Sequence, residues 1–137
     1  MSATLTPTGA LLAVFSTIPL EPEPAHLVGT GGALGAVVRY WVYRHVTWED
    51  FPAATLTVNV LGSFLFGVLL FAGAGESIFL LAGVGFCGSF TTFSSFSVET
   101  VQLCERGDRR LALANALANL LVSLAAIGLA WLLVAAI

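Results

Sequence analysis

A membrane protein built only of α-helices, with four spans and the third broken near its middle, is the fold that three features of the chain predict. The first is apolarity: of 137 residues, 58% are hydrophobic and 9% charged, where soluble domains carry about a quarter charged. The second is length, because a span needs about 20 apolar residues and four of them with short loops use up the chain beyond a polar N-terminal stretch. The third is the run GFCGSFTTFSSFSVE from Gly85 to Glu99, a polar interruption inside an apolar segment.

Residues 1–25 read as a flexible or interfacial extension preceding a transmembrane domain of residues 26–137. The apolar run from Ala10 to Ile18 is nine residues, which rise only about 14 Å as helix. It has neither the basic start nor the cleavage site of a signal peptide. The prolines at 19, 22 and 24 mark residues 19–24 as a linker.

Span one is expected from Leu27 to Val46. Gly31 and Gly35 lie four apart on one face, and small residues at that spacing let helix backbones approach closely in lipid. Arg39 follows one turn later. It reads either as an arginine snorkelling with Arg44 to the helix end or as an internal ion pair or a vestibule charge.

Span two follows Pro52 and reaches about Ala74. Thr55, Asn59, Ser63 and Gly67 recur every four residues, so they form a narrow stripe on one helical face. An amide at the depth of Asn59 needs partners. Those partners are either groups on another helix or an ion in a conduit.

Span three is expected from just after Ser77 to about Cys104. Ile78–Gly88 and Ser94–Cys104 are eleven residues each, about 16 Å of helix apiece, so neither half crosses alone and Ser89–Phe93 should bend or unwind. Backbone freed at that depth must be buried in protein or line a cavity. Its carbonyls are then either a cation site of the kind found in broken transporter helices or satisfied by threonine hydroxyls. Span four is expected from Leu111 to Ile137, with Asn115, Asn119 and Ser123 forming a second four-residue stripe.

Charge and composition exclude several functions. Eight acidic residues against five arginines leave a net charge of −3, unsuited to nucleic acid, which selects clustered positive charge. His26 and His45 are far apart, no carboxylate pair or metal-binding helix motif is present, and no glycine loop for phosphate is found. Cys87 and Cys104 read as packing residues. Glu99 is the one acidic residue well inside a span and reads as facing a vestibule. Phe93 and Phe96 share a face with Thr100; they read either as rings that meet lipid or pack, as most membrane phenylalanines do, or as ring edges that, being positive, touch a dehydrated anion.

Arg44, Arg106, Arg109 and Arg110 lie in or beside the loops between spans one and two and spans three and four, and the opposite side has none. The positive-inside rule then places both termini outside the cell membrane.

The chain resembles the CrcB/Fluc fluoride channel family. The motifs that carry the likeness are GGALGAVVRY at 31–40, NVLGSFLFG at 59–67 and the run at 85–99, within a match of residues 27–137. The resemblance implies an antiparallel dimer with two fluoride pathways around a central structural sodium ion, which lowers cytoplasmic fluoride by passive export. It implies that Phe93 and Phe96 meet fluoride by their ring edges, that Asn59 is the pore amide, and that Ser94 and Thr55 add polar contacts. By the same likeness, sodium is held by the backbone carbonyls of Gly88 and Thr91 from both subunits. Span four departs from the family, which often has a tyrosine and serines there, so Asn115, Asn119 and Ser123 carry over only as positions, as does Ser95, often threonine. A homodimer that inserts both ways needs little arginine bias, whereas this chain is biased. Its expected partner is therefore an oppositely oriented paralogue. A small proton-coupled multidrug or cation exporter, or a non-transporting membrane scaffold, are the alternatives.

Overall fold

A computed structural model describes residues 24–137, so the extension expected over 1–25 lies, but for its last two residues, outside the described residues. Those residues are almost entirely helical, with no strand among them. Helix α1 is Pro24–His45, α2 Ala53–Phe71, α3 runs from Glu76 to Phe90, α4 is Phe93–Glu105 and α5 Arg109–Ala135.

Three stretches are long and apolar enough to cross a membrane: α2, the pair α3 and α4 taken together, and α5. Three such stretches make this a multi-pass membrane protein. Helix α1, interrupted by Gly29, Gly31, Gly32 and Gly35, falls short of that apolarity.

The helix ends follow local chemistry. After α2 the chain turns through Gly73 at φ 62°, with Gly73 N–H donating to Leu70 O and Ala74 N–H to Leu69 O. Gly107, at φ 89°, repeats the arrangement after α4, where the Gly107 and Asp108 amides donate to Cys104 O and Leu103 O. Both are the paired closure that a residue with positive φ allows at a helix C-terminus. Helix α3 contains a π-helical stretch, Phe79–Cys87, for which neither apolar periodicity nor breaker residues in the sequence gave a signal.

Extended backbone between α3 and α4 is confined to Thr91 (ψ 161°) and Thr92 (φ −151°, ψ 118°). Ser89 and Phe90, expected in the unwound piece, remain helical. Thr92 is then the N-cap of α4, its hydroxyl accepting from Ser95 N–H at 3.1 Å, which is the bond that starts helices favourably.

Helix α1 packs on α3 through glycine. A side chain at Gly31 would overlap the Leu81 carbonyl, and one at Gly35 would overlap the Phe86 carbonyl and the Ser89 hydroxyl. On the other side α2 packs on α5, where Gly67 faces Ala130 and Ile127. Close backbone approach of this kind replaces the hydrophobic drive that lipid removes.

Replacing Gly31 by alanine should therefore destabilise the fold by roughly 1–3 kcal/mol, the usual range for overpacking. Gly29→Ala, which meets nothing within 4 Å, should be neutral or slightly stabilising. Unfolding titrations of the two variants in detergent check the contrast.

Candidate functional site: the break and the polar chain behind it

In a continuous helix the Thr92 N–H would bond to the Gly88 carbonyl four residues back. Here it donates to Asn59 Oδ1 at 2.8 Å, while Asn59 Nδ2 donates to Thr92 O at 3.1 Å. One asparagine thus takes both backbone polar groups of Thr92, and the Gly88 carbonyl is left without that helical donor. The Thr91 carbonyl, past the end of α3, accepts from Arg39 Nη1 at 3.2 Å. Arg39 is half-buried and points at the break, bonded to a backbone carbonyl and not to the acidic partner of an ion pair.

From Asn59 the bonding continues across three helices. Asn59 Nδ2 donates to Asn119 Oδ1 at 2.9 Å, Asn119 Nδ2 to Asn115 Oδ1 at 2.8 Å, and Asn115 Nδ2 to Thr100 Oγ1 at 2.9 Å. Thr100 ends the chain by donating to Phe96 O at 2.7 Å. The Asn115 side chain is fully buried and Asn119 is 8% exposed, so these bonds are made where an unpaired amide is most costly.

A second cluster holds Thr55, also fully buried. Its hydroxyl donates to Glu99 Oε1 at 2.8 Å and lies 2.6 Å from the Tyr43 hydroxyl, which must then donate to it. Glu99 Oε2 is buried without a partner. Glu99 borders a groove with Ser94 and Ser95 and, on its other side, a pocket that reaches Glu49, Asp50 and Arg106.

The residues singled out in the sequence are divided among three places. Asn59, Phe93, Phe96, Asn119 and Ser123 line one cavity of about 560 Å³ between α2, α4 and α5, together with Ser63. Phe93 and Phe96 have ring centroids 5.5 Å apart, and the Ser123 hydroxyl, buried, has no partner. Ser94 and Ser95 border a second cavity of about 350 Å³ with Arg39 and Tyr43. Thr55 sits with Glu99, and Asn115 is in neither cavity. The stripes on α2 and α5 thus meet at a single rung, Asn59 with Asn119.

Sequence reasoning missed Tyr43 and the bonding role of Thr92. Tyr43 had a signal: it continues the four-residue spacing of Gly31, Gly35 and Arg39 on α1. Among the described residues no group of three or more histidines, cysteines or carboxylates is placed to hold a metal ion.

A helical break whose peptide groups are held by buried amides, beside a cavity walled by phenylalanines, defines a polytopic membrane protein with a polar interior. Residues 26–131 match the family described as CrcB-like protein, camphor resistance. The chain belongs to that family. It is 59% identical over 109 residues to "Fluoride-specific ion channel FluC 2" of Haloarcula marismortui, covering 80% of this chain and 92% of the relative. "Fluoride-specific ion channel FluC 1" of Halobacterium salinarum is 53% identical over 113 residues, 82% and 94% of the two chains. "Fluoride-specific ion channel FluC" of Gloeobacter violaceus is 44% identical over 108 residues, 73% and 86%.

Asn59→Leu strands the Thr92 N–H and C=O and the Asn119 acceptor together. It should lower stability by roughly 2 kcal/mol or more, the scale of desolvating unpaired polar groups. Hydrogen exchange by mass spectrometry should show the amides at Thr92–Ser95 losing protection, and exchange as slow as in the wild type would contradict the assigned role.

Proposed function

We propose that the chain is a fluoride-selective channel, not an enzyme, which lowers cytoplasmic fluoride by passive export. The observation that carries this reading is the cavity in which the Phe93 and Phe96 rings stand beside Ser123, whose buried hydroxyl has no acceptor to serve. A dehydrated anion needs hydrogen-bond donors and positive ring edges, and this cavity supplies both. The names of the relatives support the choice of ion.

The pore subunit has four transmembrane helices, with α1 as the first, α3 and α4 as the broken third, and α5 as the fourth. Support comes from the pocket in which Trp48, Glu49 and Asp50 after α1 meet Gln102 and Arg106 at the end of α4. First and third crossings that end on one side are what alternating spans require. The arginine bias then puts both termini outside.

The functional unit is an antiparallel dimer, with the partner a paralogue of opposite arginine bias. Phe93 is 80% exposed beside the break, and a second subunit would enclose it and complete the path. Fluoride passes Asn59, Phe93, Phe96 and Ser123, with Ser94 and Ser95 contributing along the groove toward Glu99 and Thr55 acting behind it through its bond to Glu99. Asn115 supports the path from behind, by holding Asn119.

A structural sodium ion fits the break. The Gly88 carbonyl has lost its helical donor and the Thr91 carbonyl has only Arg39, and neutral backbone oxygens are the ligands a hard cation takes. Bound there, sodium would supply fixed positive charge between the subunits. Arg39 already shares the Thr91 oxygen, so the guanidinium contributes charge at the same place.

Vesicles reconstituted with the protein and loaded with fluoride should empty rapidly, with chloride retained. Phe93→Ile or Phe96→Ile should abolish fluoride efflux in protein that still assembles. Ser123→Ala should slow efflux about tenfold, the effect of losing one hydrogen bond to a charged group. Ordinary efflux from all three variants would remove the cavity from the path. Full activity of this chain expressed alone as a homodimer would refute the paralogous partner.

A further inference from the structure

The amide orientations in the Asn59 chain are dictated from one end. Thr92 offers an N–H and a C=O to the same side chain, so Asn59 Oδ1 must face the donor and Nδ2 the acceptor. The reversed amide would set oxygen against the Thr92 carbonyl and nitrogen against its N–H. With Asn59 fixed, its second N–H must be received by Asn119 Oδ1, which turns Asn119 Nδ2 onto Asn115, and Asn115 in turn onto Thr100.

The consequence falls on the cavity. Asn59 and Asn119 both line it, yet the two amide hydrogens of Asn59 are both taken, one by Thr92 O and one by Asn119 Oδ1. The first of these holds the break, leaving the second as the one that an ion can claim.

We propose that Asn119 is a specificity-determining residue, whose side-chain oxygen competes with the passing anion for the second N–H of Asn59. This rests on the reading of the chain as a fluoride channel. A small anion that accepts hydrogen bonds strongly displaces the amide oxygen and gains the donor. A larger halide accepts weakly, cannot displace it, and meets an Asn59 with nothing to give. Asn119 thereby sets a threshold of acceptor strength for entry. Asn115 holds Asn119 in the competing orientation, with its own carbonyl and side-chain oxygens both receiving Asn119 Nδ2.

The test uses wild type, Asn119→Ala and Asn119→Asp in vesicles, comparing fluoride with chloride efflux. Asn119→Ala removes the competitor and should raise the chloride-to-fluoride efflux ratio about tenfold, the scale of one hydrogen bond released. Asn119→Asp keeps an acceptor toward Asn59 and makes it stronger, while losing the donor toward Asn115. It should slow fluoride about tenfold without raising the ratio. A merely structural role predicts that both variants move the ratio the same way, because both break the chain, and that result overturns the proposal, as does an unchanged ratio in Asn119→Ala. Should Asn119→Ala fail to assemble, Asn119→Asp decides alone by the ratio, because its negative charge slows every anion: a raised ratio refutes the competition, and a ratio no higher than in the wild type supports it. Wild type that moves no fluoride would overturn the channel reading itself, whereas wild type that does, with variants as in the structural case, overturns this inference only.

Discussion

A peptide group that leaves its helix inside a membrane must find another partner, and much of this molecule answers that demand at Thr92. No water competes there and each unmet group costs several kcal/mol. Asn59 meets both the N–H and the C=O of Thr92, so the break depends on α2 being at one depth and one rotation. Helix α5 is registered in turn through Asn119, and α4 through Asn115 and Thr100. Three helices are thereby placed relative to two extended residues.

The glycines act on the same problem from the opposite face. Gly31 and Gly35 let α1 lie against α3 so closely that a methyl group would strike carbonyl oxygens, and this closeness brings Arg39 to the Thr91 carbonyl. Side-chain amides thus hold the break from α2 while a guanidinium holds it from α1. Packing that relies on small residues and buried hydrogen bonds suits a lipid setting, where apolar burial between helices gains little.

Much of this was legible in the chain because lipid makes its demands locally. Apolar runs, with Pro52 before one of them, marked the element ends to within a few residues, and four-residue spacing put Thr55, Asn59 and Ser63 on one face. Two half-length helices pointed to an interruption, although its width was overstated, because nothing in Ser89 and Phe90 reveals that α3 stays wound through them. The site was less legible. Spacing says that Asn59 and Asn119 each face something, but not that they face one another, since the rotation of one helix against another depends on contacts far apart in sequence. Asn115 illustrates the limit: it belongs to the same stripe as Ser123, yet it is buried against Thr100 while Ser123 lines the cavity.

That contrast bears on how a narrow anion path can exist in a stable fold. Stability asks that every buried donor have an acceptor, whereas conduction of a dehydrated anion asks for donors that are not committed. The chain separates the two by position. Asn115 and Thr100 direct their hydrogens at fixed protein oxygens, Asn59 gives one of its two to the break and one to Asn119, and Ser123, one turn beyond Asn119 on the same α5 stripe, keeps its hydroxyl uncommitted. A hydroxyl is the economical group to leave unpaired, because it rotates and its burial costs less than that of an amide with two hydrogens and an oxygen to satisfy. Amides committed at the break, the N–H shared between Asn59 and Asn119, and a free hydroxyl one turn farther along α5 therefore form a graded surface, most rigid where the backbone leaves its helix.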